Sequence, residues 1–220
     1  LIVPHAGYVY SGPVAATAYA RVRPYREQIT RVILLGPCHR VPVRGLASSS
    51  ADAFRTPLGD VPIDKDAMVG LNLPAITVFD QAHTFEHSLE VHLPFLQTIL
   101  DEFTIVPLVV GDAAPDTVAG ALEALWGGPG TLIVISSDLS HYLDYKAARK
   151  RDKATCEAIE RFDAASVGPD DACGCHPIGG LLELARSRGM SVETLDLRNS
   201  ADTAGAMAQV VGYGSWMFLE

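Results

Sequence analysis

The sequence predicts an α/β fold with three layers, α/β/α, in which helices cover both faces of a mixed, mainly parallel central sheet. Short apolar runs alternate along the chain with amphipathic segments, which is typical of strands joined by helices. Several runs are apolar at consecutive positions, such as RVILLG at 31–36, and this favours strands buried on both faces. The hydrophobic content of 48% over 220 residues is sufficient for one large core.

The first half of the chain contains two of these strands. Residues 1–4 form an apolar strand, and a helix over 13–22 follows, with Pro13 at a favoured first-turn position. Residues 31–36 form the second strand, and 45–63 resemble a meander with its turn at 57–60. Residues 86–100 are predicted to be helical, with a kink at Pro94 because proline cannot donate its backbone hydrogen bond.

The alternation is more regular in the second half. The predicted elements are strand 104–110, helix 115–126, strand 131–136, helix 144–162, helix 177–188, and strands 192–197 and 209–218. No internal repeat or linker interrupts them, so we expect one domain over residues 1–220. The chain starts on a strand-like run without Met, and we expect an N-terminal segment to precede it.

Charge and cysteine content exclude several classes of partner and location. The net charge of −9, from 17 basic and 26 acidic residues, argues against nucleic acid or an anionic membrane as the main partner. No apolar run approaches the ~20 residues that span a bilayer, and no charged leader precedes a short apolar segment. Four cysteines do not form a disulfide framework, which favours a cytoplasmic location.

Polar residues that follow the strands suggest a metal site. Ligand sites in open α/β sheets form beyond the carboxyl ends of the strands, where His5 and His39 follow the first two. If those strands are parallel neighbours ~4.8 Å apart, both imidazoles could reach one metal ion at ~2.0–2.1 Å. Cys173, ahead of a predicted helix, would add a thiolate. Taken singly, each histidine could instead cap a strand and the cysteine could be structural.

Other residues near this edge have candidate roles in catalysis and substrate binding. Asp138 and His141 follow strand 131–136 and could form a pair that orients a proton carrier. Alternatively, Ser137 or Asp138 caps a following turn and His141 is exposed. We assign Tyr8, Tyr10 and His87 to the substrate pocket, although the two tyrosines could equally pack beneath it as loop aromatics.

The segment HTFEH at 83–87 matches the inverted zinc-protease motif. That chemistry needs both histidines on one helix. Residues 79–82 look like a loop, and a helix that begins near Glu86 would leave His83 outside it. A zinc hydrolase that uses His83 and His87 is therefore the least favoured interpretation.

With these residues identified, nearly the whole chain resembles the Memo family, whose bacterial and archaeal branch is called AmmeMemoRadiSam system protein B. Six ordered blocks carry the resemblance, which makes it more specific than any single motif. They are PHAGY at 4–8, LGPCH at 35–39, EHSLE with LP at 86–94, SSDLSH at 136–141, CG with HPIG at 173–179, and VVGY at 210–213.

The resemblance implies a fold like that of class III extradiol dioxygenases, which hold Fe(II) with two histidines and a carboxylate. It implies that His5 and His39 are metal ligands and that His141 is an acid/base. Cys173 stands where the dioxygenases have glutamate, and a thiolate favours copper or zinc without excluding iron. We therefore expect a single transition-metal ion, copper or iron, with zinc as an alternative. The family name also implies association with AMMECR1-like and radical-SAM proteins.

These observations lead to two hypotheses about function. The first is a metal-dependent redox protein, similar to a non-haem dioxygenase, that acts on an unknown small molecule or peptide. The second is a non-catalytic module that binds a peptide or small ligand on the same fold, since one scaffold can host many functions.

Overall fold

A computed structural model describes residues 1–69, 73 and 75–220. The strands within these residues are β1 (Ile2–Val3), β2 (Arg31–Pro37), β3 (Leu46–Ser48), β4 (Ala53–Thr56), β5 (Gly59–Pro62), β6 (Ile76–Val78), β7 (Thr104–Val110), β8 (Thr131–Ser136), β9 (His141–Leu143), β10 (Ser191–Asn199) and β11 (Val210–Leu219). The helices are α1 (Tyr8–Val22), α2 (Gln81–Thr84), α3 (Leu93–Ile99), α4 (Pro115–Leu125), α5 (Tyr145–Glu160) and α6 (Cys175–Ser187). No helix in the described part of the chain is long and apolar enough to cross a bilayer.

The central sheet is mixed and mostly parallel, as predicted. Its strands lie in the order β10-β11-β1-β8-β2-β7-β3-β6, and β9 pairs with β11 outside this path. The four strands β1, β8, β2 and β7 run parallel. β11 is antiparallel to β1, β9 and β10, and β3 is antiparallel to β7. β4 and β5 form a separate hairpin.

The alternation of side chains along β2 explains the three layers. Val32 and Leu34 point to one face, where they belong to a buried cluster with residues of α1 and α3. Ile33 and Leu35 point to the opposite face, where they belong to a second cluster with residues of α4, α5 and α6. Both faces of β2 are therefore buried, which is why the strand has no polar alternation.

The prediction of a helix over 86–100 is wrong in its first half. A 3₁₀ turn occupies Glu90–His92, and α3 begins only at Leu93. The backbone N–H groups of His87 and Ser88 donate to the Glu86 carboxylate, which holds the preceding residues in a turn. Pro94 lies in the first turn of α3, where its fixed φ favours a helix start and produces no kink.

Helix α1 begins earlier than predicted. The backbone N–H groups of Tyr10 and Ser11 donate to the carbonyl of Gly7 at 2.8 and 3.1 Å. These bonds form the first turn ahead of Pro13, which therefore lies inside the helix. Tyr8 and Tyr10 are consequently helical residues and were wrongly predicted as loop aromatics.

Candidate metal centre

His5 is held at the end of β1 by groups from β8 and the loop that follows it. Its side chain is buried. The backbone N–H of His5 donates to Asp138 Oδ1 at 2.8 Å, and its ring Nδ1 lies 2.6 Å from Ser136 Oγ, on the last residue of β8. Because β1 and β8 are parallel neighbours, both ends lie at the same edge of the sheet.

Ser136 determines which nitrogen of His5 carries the proton. Its hydroxyl donates to the carbonyl of Ser88 at 2.6 Å and also lies 2.7 Å from His92 Nε2. A hydroxyl has one proton and two acceptor lone pairs, so both imidazoles must donate to it. His5 is therefore protonated at Nδ1, and the lone pair of its ring is on Nε2.

The strands that precede His5 and His39 are not neighbours, contrary to our expectation. β8 lies between β1 and β2, because β8 pairs with both. The loops after β1 and β2 nevertheless bring the two rings together, with their centroids 5.4 Å apart. The predicted pairing was wrong because the strand order depends on contacts with β8, which lies far from β1 and β2 in the chain.

Glu86 positions His39. Its carboxylate accepts from the His39 backbone N–H at 2.6 Å and lies 2.9 Å from the ring Nδ1. It also accepts the backbone N–H groups of His87 and Ser88, each at 3.0 Å. Burial by itself would raise the pKa of Glu86, but these hydrogen bonds outweigh it and lower the pKa to about 2. An ionised Glu86 requires His39 to donate through Nδ1, which leaves Nε2 as an acceptor.

His87 completes a cluster of three imidazoles. Its ring centroid lies 5.5 Å from that of His5 and 5.4 Å from that of His39. One ring nitrogen from each histidine lies within 4.8 Å of those of the other two. Two nitrogen ligands of one ion lie at most ~4.2 Å apart, so a small inward movement suffices. The cluster could therefore hold a metal ion, and imidazole suits zinc, copper, iron or nickel.

The pKa of His5 is lowered to about 3, first by burial and then by its proximity to His39 and His87. A neutral imidazole is the form that binds metal. The burial that lowers this pKa therefore also keeps His5 in its ligating form at neutral pH.

Cys173 lies beside the cluster but is not one of its three members. Its Sγ is 3.4 Å from His5 Nε2 and accepts the backbone N–H of Asp138 at 3.3 Å. Burial, with a contribution from Asp138, raises the pKa of the Cys173 thiol to about 12. The structure thus brings together all three predicted ligands, and the role of Cys173 as a ligand stays a prediction.

Asp138 and His141 border the same cavity, and their predicted catalytic roles stay predictions. Asp138 is buried and accepts the backbone N–H groups of His5 and Ala6. Burial raises its pKa to about 6 despite these bonds. His141 is the first residue of β9, which pairs with β11. The bonds from His5 and Ala6 mean that Asp138 holds the loop that carries His5. Asp138 and His141 make no direct hydrogen bond in the described structure.

A cavity of ≈ 730 Å³ opens onto the three imidazoles. Its lining consists of His5, Ala6, His39, His87, Asp138, His141, Tyr142, Leu143, Arg151, Pro169, Asp170, Cys173 and Val211. Tyr8 and Tyr10 are absent from this lining. The Tyr8 hydroxyl instead donates to the Val91 carbonyl at 3.0 Å, and its ring packs against Phe95.

The condition for a zinc hydrolase is not met. His83 lies in α2, which ends at Thr84, so His83 and His87 do not share a helix. His83 Nε2 lies 3.1 Å from the Ala47 carbonyl, and its ring packs against Phe54. The interpretation of HTFEH as an inverted protease motif is therefore wrong.

Sequence reasoning missed the roles of Glu86, Ser136 and His92. Glu86 and His39 are 47 residues apart, and Ser136 and His92 are 44 apart, so no local spacing reveals either contact. Two signals were present. Glu86 precedes a histidine in one of the six blocks, and Ser136 ends a buried strand next to other polar residues.

Comparisons with known proteins support the family. Residues 1–217 match the model of the family described as Memo-like protein. A MEMO1 family protein of Aeropyrum pernix is 39% identical, and the match covers 96% of this chain and 80% of that protein. One from Aquifex aeolicus is 38% identical, over 100% of this chain and 85% of that protein.

A solved structure supports the fold alone. The crystal structure of the uncharacterized protein JW3007 from Escherichia coli K12 superposes with a TM-score of 0.58 at 12% identity. The match covers 96% of this chain and 97% of that one. Three findings indicate the same family: the six sequence blocks, the family match over 217 residues and the relatives at 38–39% identity. The chain belongs to the family of Memo-like proteins.

Proposed function

We propose that this protein binds a single transition-metal ion, copper or iron with zinc as an alternative, and uses it for redox or O₂ chemistry on a small molecule. The observation that carries the proposal is the cluster of His5, His39 and His87, whose ligand atoms lie within 4.8 Å of one another. Glu86 and Ser136 support it, because they leave Nε2 of His39 and His5 available for ligation.

The metal would supply one-electron or O₂ chemistry at the floor of the cavity. The chain itself fixes the ligands, orients a substrate and moves protons. His141 lies in the cavity wall, and a titratable imidazole there suits proton transfer to or from a substrate. Asp138 holds the loop of His5 through two backbone N–H groups and thereby keeps that imidazole in place.

The fourth donor in this proposal is Cys173. With a pKa of about 12, its thiol stays protonated at neutral pH in the absence of a cation. Metal binding would release that proton. Metal affinity should then rise with pH in the wild type and rise less steeply in Cys173→Ser.

We further propose a cytoplasmic location and association with AMMECR1-like and radical-SAM proteins. The four free cysteines support the location, and the resemblance to AmmeMemoRadiSam system protein B supports the association. Co-purification of the tagged protein from cells that contain those partners tests the association.

Anaerobic loading with Fe(II) or Cu(I), followed by measurement of O₂ consumption with ascorbate as reductant, tests the chemistry. We expect turnover by the loaded wild type and its loss in His5→Ala. His83→Ala is the matched control, since its imidazole is outside the cluster, and it should retain turnover. Equal O₂ consumption by wild type and His5→Ala would overturn the proposal. A metal that binds without O₂ chemistry would favour the non-catalytic binding module.

A further inference from the structure

Besides the three imidazoles, several other elements contribute to the lining of this cavity. β9 contributes Tyr142 and Leu143, α5 contributes Arg151, and the loop before α6 contributes Pro169 and Asp170. A ligand that fills the cavity would contact these residues as well as the imidazoles.

Among the described residues that line this cavity, Arg151 is the one with a permanent positive charge. Its Nη1 donates to the backbone carbonyl of Asp170 at 3.0 Å, and its Nε lies 3.9 Å from Asp171 Oδ1. The described residues provide no partner for Nη2, and the side chain is 40% exposed. The guanidinium is thus held in place with donors to spare, the arrangement in which arginine binds carboxylates and phosphates bidentately.

Tyr142 has a backbone conformation that is unusual for an aromatic residue. Its φ is 58°, in the left-handed region. Its neighbours His141 and Leu143 are both paired with β11, and this pairing maintains the strained conformation. Tyr142 is 70% exposed, and its ring packs edge-on against the His141 ring with the centroids 5.8 Å apart. An exposed aromatic ring held at a cavity wall is suited to contact a planar group.

The acidic groups around the cavity leave room for an anion beside Arg151. Asp138 is buried and engaged with two backbone N–H groups, and Glu86 is engaged with His39. Asp170 is exposed in the wall, and Asp171 only approaches Nε. In a chain with a net charge of −9, the Arg151 guanidinium is a local positive charge in the cavity lining, and it attracts small anions.

We infer that the cavity binds a small molecule with a planar group and an anionic group, a carboxylate or a phosphate ester, with the anionic group on Arg151, the planar group against Tyr142 and the remainder toward His5, His39 and His87. The inference rests on the proposed function in one respect, namely that the part of the ligand nearest the imidazoles is the part that reacts. Recognition of the anion by Arg151 does not need the metal.

Benzoate, its neutral isostere benzamide and phenyl phosphate are the probes, titrated into the protein both as purified and after metal loading. We expect benzoate or phenyl phosphate to bind at least about tenfold more tightly than benzamide, since one charge-assisted bidentate pair exceeds a neutral contact by this much. The tighter of the two anions identifies the preferred group. Binding by protein without metal supports this inference even if the redox proposal fails.

Arg151→Gln should reduce anion affinity about tenfold or more and leave benzamide unchanged. Arg149→Gln is the matched control, because Arg149 lies on the same helix but packs over Tyr145 outside the cavity lining. Tyr142→Ala should weaken the binding of all three probes. Binding of both anions no tighter than that of benzamide, no binding of either anion, or equal effects of the Arg151 and Arg149 variants would each overturn the inference.

Discussion

The Ser136 hydroxyl joins three buried groups from two distant segments of the chain. It accepts from His5 and His92 and donates to the carbonyl of Ser88, with all three distances between 2.6 and 2.7 Å. These bonds use its full capacity as donor and acceptor. The orientation of a candidate metal ligand therefore depends on one small residue that does not itself line the cavity.

Ser136→Ala should lower metal affinity about 10- to 100-fold, because His5 loses the partner that fixes its tautomer. It should also reduce the free energy of unfolding by about 1–3 kcal/mol, since buried polar groups are left without partners. Chelator competition and urea denaturation measure the two effects. Ser215→Ala is the control, because the buried Ser215 Oγ has no partner within the described residues. It should leave metal affinity unchanged and should not lower the free energy of unfolding, since it removes a buried hydroxyl that makes no hydrogen bond. Unaltered metal affinity in Ser136→Ala would contradict this role.

Ionisation of Asp152 makes the free energy of unfolding depend on pH, independently of the three clustered imidazoles. Its buried side chain accepts the backbone N–H of Ser140, and burial raises its pKa to about 6 from 3.8. The folded state then binds more protons than the unfolded state between about pH 4 and 6. The contribution of Asp152 to the free energy of unfolding is most favourable below pH 4. It declines by about 3 kcal/mol as pH rises through 6.

Asp152→Asn should remove this decline, because the amide does not ionise. Urea denaturation of wild type and variant at intervals from pH 4 to 7 checks the prediction. The difference in unfolding free energy between the two proteins should change in favour of the variant as pH rises. A constant difference across this range would show that Asp152 has an ordinary pKa.

At the scale of elements, the close approach of β2 to the turn at 86–89 positions two of the imidazoles. A Cβ on Gly36 would lie 2.9 Å from Ser88 Oγ and 2.9 Å from Leu89 Cδ2. The absence of a side chain at this position lets the Ser88 hydroxyl donate to the Pro37 carbonyl at 2.8 Å. The same turn carries Glu86 and His87 to the end of β2, where His39 begins the next loop.

Gly36→Ala should displace this turn and weaken metal binding together with stability. The expected loss is about 1–3 kcal/mol of unfolding free energy, typical of overpacking a core. Gly120→Ala is the control, since a Cβ there meets nothing within 4 Å, and in a helix it should stabilise by about 0.5–1 kcal/mol. Thermal denaturation and metal titration of both variants provide the test. Wild-type metal affinity in Gly36→Ala would show that the turn does not depend on this contact.

Local patterns predicted some elements better than others. β7 and β8 have the predicted bounds, because consecutive apolar residues define a buried strand within a short window. The segment after Glu86 was predicted wrongly because its conformation depends on hydrogen bonds to that carboxylate, which is also engaged with His39. Local spacing contains no information about such a partner.

At the scale of the whole molecule, the site is assembled from segments that lie far apart in the chain. The expectation that ligand residues gather beyond the ends of the strands correctly placed His5, His39 and Cys173 at one edge of the sheet. It could not give the strand order, in which β8 separates β1 from β2, and it could not identify His87 as the third imidazole. Both depend on tertiary contacts, since a residue's distance in sequence does not determine its distance across a sheet.

The metal content of purified protein after loading with Fe(II) or Cu(I) and desalting tests whether the three clustered imidazoles hold a metal ion. We expect one metal ion per chain in the wild type and in His83→Ala. We expect almost none in His5→Ala or His39→Ala, because each removes one of the three clustered imidazoles. A metal content in His5→Ala and His39→Ala equal to that of the wild type would show that the cluster is not the metal site.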